Sequence, residues 1–415
     1  MPDPAAPPSP VLSTRPLSGA WLVVGLLWVI GCLNYLDRTM INTMRGSIVN
    51  AIPMSDAQFG ELTTVFLWVY ALLSPLGGWC ADRFSRSRVI LVSLGVWSMV
   101  TWATSLAHTF DQLLATRALM GISEACYIPA ALALISDYHR GSTRSLATGI
   151  HMSGIYAGMA LGGLGGWMAE TQGWSSAFLL FGLFGMAYAC FLAFMLRDAP
   201  PAEGGGVVMQ ATVSPMEAFG ALAGSGAFWL IALHWGVLGF AGWAFIAWMP
   251  TFLQEHFDLS QKVAGVFATA PMQVAAFLGV LAGGAWADRW SRTHLRGRVL
   301  VPVMALILAS PFVLLAGHTG LLAMAVGCLA VFGFARGCSD ANMMPILCQV
   351  AEPRHRATGY GVLNFFSCSI GGVATYLGGW LRDQHVGLDT IFAASAAGVL
   401  ASGLALWLVR PTRHG

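Results

Sequence analysis

The sequence predicts an all-α membrane protein in which twelve transmembrane helices form two six-helix bundles related by a pseudo-two-fold axis along the membrane normal. Three observations predict it: a strongly apolar composition, a succession of apolar runs of spanning length interrupted once by a polar linker, and motifs of the first half that return in the second. Of 415 residues, 56% are apolar and 10% charged, against roughly 25% charged in a typical soluble domain. That composition excludes a soluble enzyme and makes the lipid bilayer the chain's solvent. The net charge of +2 carries little, because in membrane proteins the placement of arginine holds the information. The eight cysteines (32, 80, 126, 190, 328, 338, 348 and 368) lie in or at the ends of apolar runs. They form neither C-x-x-C nor a partnering histidine spacing, which argues against a zinc site or a disulfide framework. No metal, cofactor or nucleic-acid partner is expected.

Residues 1–19 hold six prolines and one arginine, too polar for a signal core, and read as a disordered cytoplasmic tail without a cleaved signal. Apolar runs of about 20 residues, the length that spans a bilayer, then lie near 20–42, 58–80, 88–107, 111–135, 144–168 and 174–196. These make an N-terminal bundle over 20–196. Residues 197–226, with Pro200-Pro201-Ala202-Glu203-Gly204-Gly205-Gly206, read as a flexible cytoplasmic linker. Six more runs near 227–253, 262–287, 298–316, 319–349, 357–380 and 388–410 make a C-terminal bundle over 227–410, with 411–415 as a tail. On this plan fifteen basic residues, from Arg15 and Arg83 to Arg413, fall on one side, and Arg45, Lys262 and Arg382 on the other. The positive-inside rule then makes both termini and the linker cytoplasmic. Bacterial inner membrane is the expected location, from the short loops.

The halves repeat. Gly78-Trp79-Cys80-Ala81-Asp82-Arg83-Phe84-Ser85-Arg86 returns 206 residues later as Gly284-Ala285-Trp286-Ala287-Asp288-Arg289-Trp290-Ser291-Arg292. Gly121-Ile122-Ser123-Glu124-Ala125 with Pro129 is matched by Gly337-Cys338-Ser339-Asp340-Ala341 with Pro345, and Ala147-Thr148-Gly149 by Ala357-Thr358-Gly359. Repeats in the same order and topology imply an axis along the membrane normal. Six plus six spans with G-x-x-x-D-R-x-x-R after spans 2 and 8 resemble the major facilitator superfamily, over essentially residues 20–410. Glycine lets helices approach closely, while Asp82, Arg83, Arg86, Asp288, Arg289 and Arg292 can latch a helix end to a neighbouring loop in one conformation. A generic stop-transfer cluster is the bland alternative.

The chemistry centres on Asn34-Tyr35-Leu36-Asp37-Arg38 at the end of the first span. Charges this deep cost at least about 2.5 kcal/mol each unless paired or watered. Either they form a structural ion pair or they are a substrate and proton site. Together with Gly121-Ile122-Ser123-Glu124-Ala125 and Pro129, this motif is similar to the organic anion transporters of the anion:cation symporter family, which includes sugar-acid/proton symporters and vesicular anion carriers. The resemblance implies that Arg38 anchors a substrate carboxylate and that Asp37 and Glu124 carry protons. Spinster-type lipid transporters share a similar Asp-Arg and G-x-x-E-A.

The residues support the same mechanism. Arg38 offers a planar fork of donors that suits a carboxylate, and Glu124, among Ile, Ala and Cys, is placed to gain and lose a proton near neutral pH. Protonation of Glu124 frees Arg38 for the anion, and deprotonation restores the pairing. Arg117, two turns before Glu124, can hold Asp37, a helix end or the substrate. Tyr35 and Tyr70 are candidate cavity residues. His151, Gln273 and Asn364 can each contact substrate or serve as interhelical hydrogen bonds, worth about 0.6 kcal/mol on average. Arg336 and Asp340, four apart, form a local salt bridge or face the cavity and meet a second acidic group of the ligand. Span 7 carries Trp243-Ala244-Phe245-Ile246-Ala247-Trp248 instead of a charged pair, which predicts a site charged on one side and aromatic opposite.

The expected function is proton-coupled symport of a small organic anion, a sugar acid or other carboxylate, by alternating access in a monomer, with protons as the coupling ion. The alternatives are a spinster-like transporter of lysolipids or amphiphiles and a proton-coupled antiporter exporting a drug-like compound. An intramembrane enzyme fails on geometry, because Ser153 lies about 200° around the helix from His151.

Overall fold

The structure, a computed structural model, describes residues 17–139, 143–200, 215–352 and 355–410, without the side chains of Asp82, Pro215 and Ala357. The tails expected over 1–19 and 411–415 fall outside it except for residues 17–19. Residues 201–214 of the expected linker, with Arg15, Arg140, Arg354, Arg413 and the Asp82 side chain, also lie outside the described residues.

Sixteen helical segments follow in order: α1 (Ala20–Thr43), α2 (Arg45–Ala51), α3 (Asp56–Arg83), α4 (Arg86–Thr104), α5 (Phe110–Glu124), α6 (Tyr127–Tyr138), α7 (Arg144–Leu161), α8 (Leu164–Gln172), α9 (Trp174–Met195), α10 (Pro215–Ala223), α11 (Gly226–His256), α12 (Gln261–Ser291), α13 (Gly297–Ala316), α14 (Leu322–Val350), α15 (Arg356–Asp383) and α16 (Leu388–Trp407). Among the described residues, eleven spans are long and apolar enough to cross a membrane, one of them α5 and α6 together. The twelfth, fifth in order, is α7 followed by α8. Its interruption falls at Gly162 and Gly163, which keep right-handed helical dihedrals, so the chain continues across the bilayer. The break in span 4 also has a local cause. Pro129 has no N–H to give the Ala125 carbonyl, and its ring clashes with it, so α5 stops at Glu124 and α6 restarts at Tyr127.

In the first half α1 packs on α7 and α4 on α9, and in the second α12 packs on α14 and α11 on α15. The halves meet where α3 lies along α15 and α7 and α8 along α12. Many large apolar side chains point outward, among them Trp68, Leu72, Phe194, Leu308 and Leu408. That is the surface expected of helices whose solvent is hydrocarbon, where every backbone polar group must be satisfied within the chain.

The core is joined at one end of the molecule and divided at the other. The largest apolar cluster runs through both halves, from Leu36 and Phe66 to Trp248 and Phe332. Towards the end that carries the N-terminus of α1, one cluster belongs to the first half alone and another to the second half alone. Hydrogen bonds and ion pairs between the halves follow the same rule among the described residues. They crowd at the end formed by the 43–56, 256–261 and 383–388 connections and reach inward to Tyr156. Small residues permit this contact: a Cβ on Gly60 would collide with the Thr375 carbonyl, and one on Gly379 with that of Asp56.

Candidate functional site

From Ile30 to Met44, α1 is buried at every position except Tyr35, which is half-buried. The stretch therefore passes through the interior carrying two charges, and each finds a different neighbour. Successive helical residues point about 100° apart, so the Asp37 and Arg38 side chains are directed at different groups. Arg38, 3% exposed, donates from Nε to Glu124 Oε2 at 2.6 Å, and Glu124 is fully buried. Aromatic faces close around the guanidinium: Tyr70 at 4.3 Å from its centre, Tyr35 at 4.5 Å and Phe66 at 5.1 Å. Such faces attract a cation through the ring quadrupole. The pair is closed off from solvent, yet Arg38 Nη2 and Glu124 Oε1 are buried without a hydrogen-bond partner.

Asp37 turns to the other side, where the Thr101 hydroxyl donates to its Oδ2 at 3.1 Å. Arg117 approaches the same turn, donating from Nη1 to the Asp37 carbonyl at 3.4 Å, while its guanidinium lies 5.5 Å over Phe178. Glu124 is held at the last residue of α5 by close packing on α3. A Cβ on Gly121 would stand 2.8 Å from the Phe66 carbonyl, so α5 can approach the helix that carries Phe66 and Tyr70 only with glycine there.

The second half contributes a looser pair. Arg336 Nε lies 3.9 Å from Asp340 Oδ2, both side chains partly exposed, and the Asp340 carboxylate accepts the Tyr156 hydroxyl of the first half at 2.8 Å. Tyr156 lies on α7, which packs on α1, so the second-half pair reaches across the interface to the helix next to the one that carries Arg38. Asn364, half-buried, lies one turn from Cys368 and accepts its thiol at 4.0 Å.

Other candidates are placed elsewhere. His151 is fully buried with its ring 5.9 Å from Tyr127 and against Gly31, about two turns of α1 from Arg38. Gln273 is buried on α12 one turn beyond Thr269, whose hydroxyl donates to the Ala160 carbonyl. Among the described residues neither bonds to a charged group of the cluster. The aromatic side foreseen in α11 is packing: Phe245 stacks on Phe392 at 4.9 Å, and the Trp248 indole donates to the Thr375 carbonyl at 2.9 Å.

At the end that carries the termini, the repeated loop motifs make ion pairs inside their own halves. Arg86 of α4 pairs with Asp137 of α6, and Asp288 of α12 with Arg298 of α13 at 2.9 Å. Arg83, Arg289 and Arg292 are exposed. Asp198, beyond α9, accepts the Ser87 N–H at 2.8 Å. Partial burial pushes its carboxyl up, but hydrogen bonds from Ser85 and Ser87, with Arg86 nearby, hold it below the usual carboxylate range.

At the opposite end lies a network that the sequence motifs did not signal. Arg382 forks onto Glu255 at 2.7 and 2.8 Å and reaches Asp56 across the halves at 2.9 Å, while Arg45 pairs with Asp56. Asp383 accepts the N–H groups of Asp56 and Ala57, both at 2.9 Å, and so caps α3 from the other half. One signal was available: Arg45 and Arg382 are two of the three basic residues that the span plan puts on this side.

Comparison with known proteins agrees with this architecture. The Major Facilitator Superfamily profile matches residues 27–375. The chain is 25% identical over 408 residues to the hexuronate transporter of Bacillus subtilis, covering 94% of each chain. It is 25% identical over 393 residues to the D-galactonate transporter of Escherichia coli O6:H1, covering 89% of this chain and 90% of that one. A solved bacterial homologue of the human lysosomal transporter Spinster, in an inward-facing and unoccupied conformation, superposes with a TM-score of 0.73 at 24% identity, covering 94% of this chain and 95% of that one. That likeness concerns the fold.

Proposed function

The chain belongs to the Major Facilitator Superfamily and is a membrane transporter rather than an enzyme; from that premise we propose that it moves a small organic anion together with protons by alternating access. The observation that carries the proposal is the sealed Arg38–Glu124 pair, 2.6 Å apart in a cage of three aromatic rings. A guanidinium is always charged and presents a planar fork that matches a carboxylate, whereas a buried carboxylate can be neutralised by one proton. With Glu124 charged, Arg38 is occupied. With Glu124 protonated, Arg38 loses that competitor and takes the substrate anion through Nη2 and the vacated Nε. Asp37 is hydrogen-bonded to Thr101 and stands beside Arg117 at the same level, so it serves as a second proton carrier. Tyr35, Tyr70 and Asn364 shape the space for the substrate body, and no cofactor beyond the proton takes part.

The positive-inside rule puts the termini in the cytoplasm of a bacterial inner membrane. On that reading the joined end faces outward, the state is inward-facing, and the transporter acts as a monomer. Release of substrate and proton from this state lets Arg38 and Glu124 pair again, and that return is the coupling.

The experiment is uptake of radiolabelled sugar acids and small carboxylates into proteoliposomes, with and without an inward proton gradient. The expected result is gradient-driven uptake that Arg38→Ala abolishes. Glu124→Gln should retain substrate exchange while losing proton-driven accumulation. Transfer of a labelled lysolipid with no acid transported would overturn the proposal.

A further inference from the structure

Arg336 is weakly paired for an arginine within a span. Within 4 Å its only acid among the described residues is Asp340, at 3.9 Å, well beyond the roughly 2.7–2.9 Å of a charge-assisted hydrogen bond. Asp340 is meanwhile engaged from the opposite half by Tyr156 at 2.8 Å. The Arg336 Nη1 atom is buried without a partner. α11 makes room for it, since a Cβ on Gly242 would collide with that same Nη1. A guanidinium inside a membrane protein ordinarily pairs or faces a polar cavity. This one is admitted through a glycine, left under-bonded, and placed beside a carboxylate that bonds across the interface to α7, the helix packed on α1.

We propose that the transported anion carries two negatively charged groups, one taken by Arg38 of the first half and the other by Arg336 of the second. This rests on the organic-anion reading above and narrows it to dianions such as dicarboxylates. Binding of both ends ties the halves together through the substrate. It also replaces the long Arg336–Asp340 contact with a direct one, leaving Asp340 to Tyr156. A monoanion satisfies one arginine and leaves the buried Nη1 of Arg336 without an acceptor, which costs affinity. Discrimination of this kind comes as much from the buried group left unpaired by the wrong ligand as from the hydrogen bonds made to the right one.

The test compares acids matched in carbon number, D-glucarate with D-gluconate and succinate with butyrate. Binding to the purified full-length protein is followed by scintillation proximity and by thermal shift. At least one diacid is expected to bind the wild type roughly tenfold or more tightly than its monoacid partner. In Arg336→Gln that ratio should collapse towards one, and in Arg336→Lys part of it should survive. Gly242→Ala, which crowds the guanidinium without changing charge, should reduce the ratio too and keeps the test available if Arg336→Gln fails to fold. Monoacids binding as tightly as their diacid partners, or a ratio unchanged in Arg336→Gln and Gly242→Ala, overturns the dianion proposal alone. If no acid of either kind binds while a lysolipid or amphipathic amine does, the organic-anion reading fails, and this proposal with it.

Discussion

Substitution of Asp383 tests how the two halves are held together at the joined end. Its carboxylate accepts the N–H groups of Asp56 and Ala57 at 2.9 Å each, both in the other half. The α3 helix does not depend on Asp383 for its own stability, because Ser55 and Gln58 already form a capping box at the same terminus. The effect of Asp383→Ala therefore falls on the equilibrium between conformations and spares the fold. Each bond is worth about 0.5–1.5 kcal/mol net, and the site is partly exposed, so their joint loss amounts to roughly 1–2 kcal/mol. That is a factor of about 5–30 in an equilibrium constant. A population of about 1% that is open at this end then rises to roughly 5–25%. Spin labels at Ala51 and Gln384, both exposed and in opposite halves, in a background whose native cysteines are replaced, report it by double electron–electron resonance. A second, longer distance should grow in Asp383→Ala and grow less in Asp383→Asn, whose amide oxygen can still accept one bond. A distribution identical to wild type at unchanged helix content refutes the reasoning.

Three further outcomes follow from the structure. Arg38→Met alone strips a buried ion pair of one partner, at up to about 3–5 kcal/mol; the melting temperature in detergent should fall and recover in Arg38→Met/Glu124→Leu, while uptake stays absent in both. Gly121→Ala inserts a methyl 2.8 Å from the Phe66 carbonyl, so overpacking of about 1–3 kcal/mol should lower thermal stability, and an unchanged melting curve would show that α3 and α5 can separate freely. Asp198 is held below its ordinary range, so its stabilisation is present above the usual value of about 3.9 and is lost as pH falls through the lower folded value. The melting gap between wild type and Asp198→Asn should accordingly be seen at pH 7 and shrink towards pH 3, and a gap independent of pH counts against the assignment.

The sequence by itself determined the architecture, because hydrocarbon leaves so few alternatives. Apolar runs must become helices when no water can satisfy their backbone, and the doubled motifs around Asp82 and Asp288, and around Glu124 and Asp340, repeat one six-helix plan. It also marked Arg38, Glu124, Arg117 and Arg336, since a charge buried in a span carries a cost that only a partner or a cavity offsets. Partners were another matter. Asp37 adjoins Arg38 in the chain yet faces Thr101, and Arg38 finds Glu124, 86 residues away, because neighbouring positions on a helix point in different directions. The same limit hid the network at the joined end, whose members at 45, 56, 255, 382 and 383 are ordinary polar residues at helix ends. Only the packing of α3 along α15 brings them into one cluster. The room that Gly242 gives Arg336 belongs to this second kind as well: a glycine in an apolar run signals close approach, and tertiary structure alone decides what approaches.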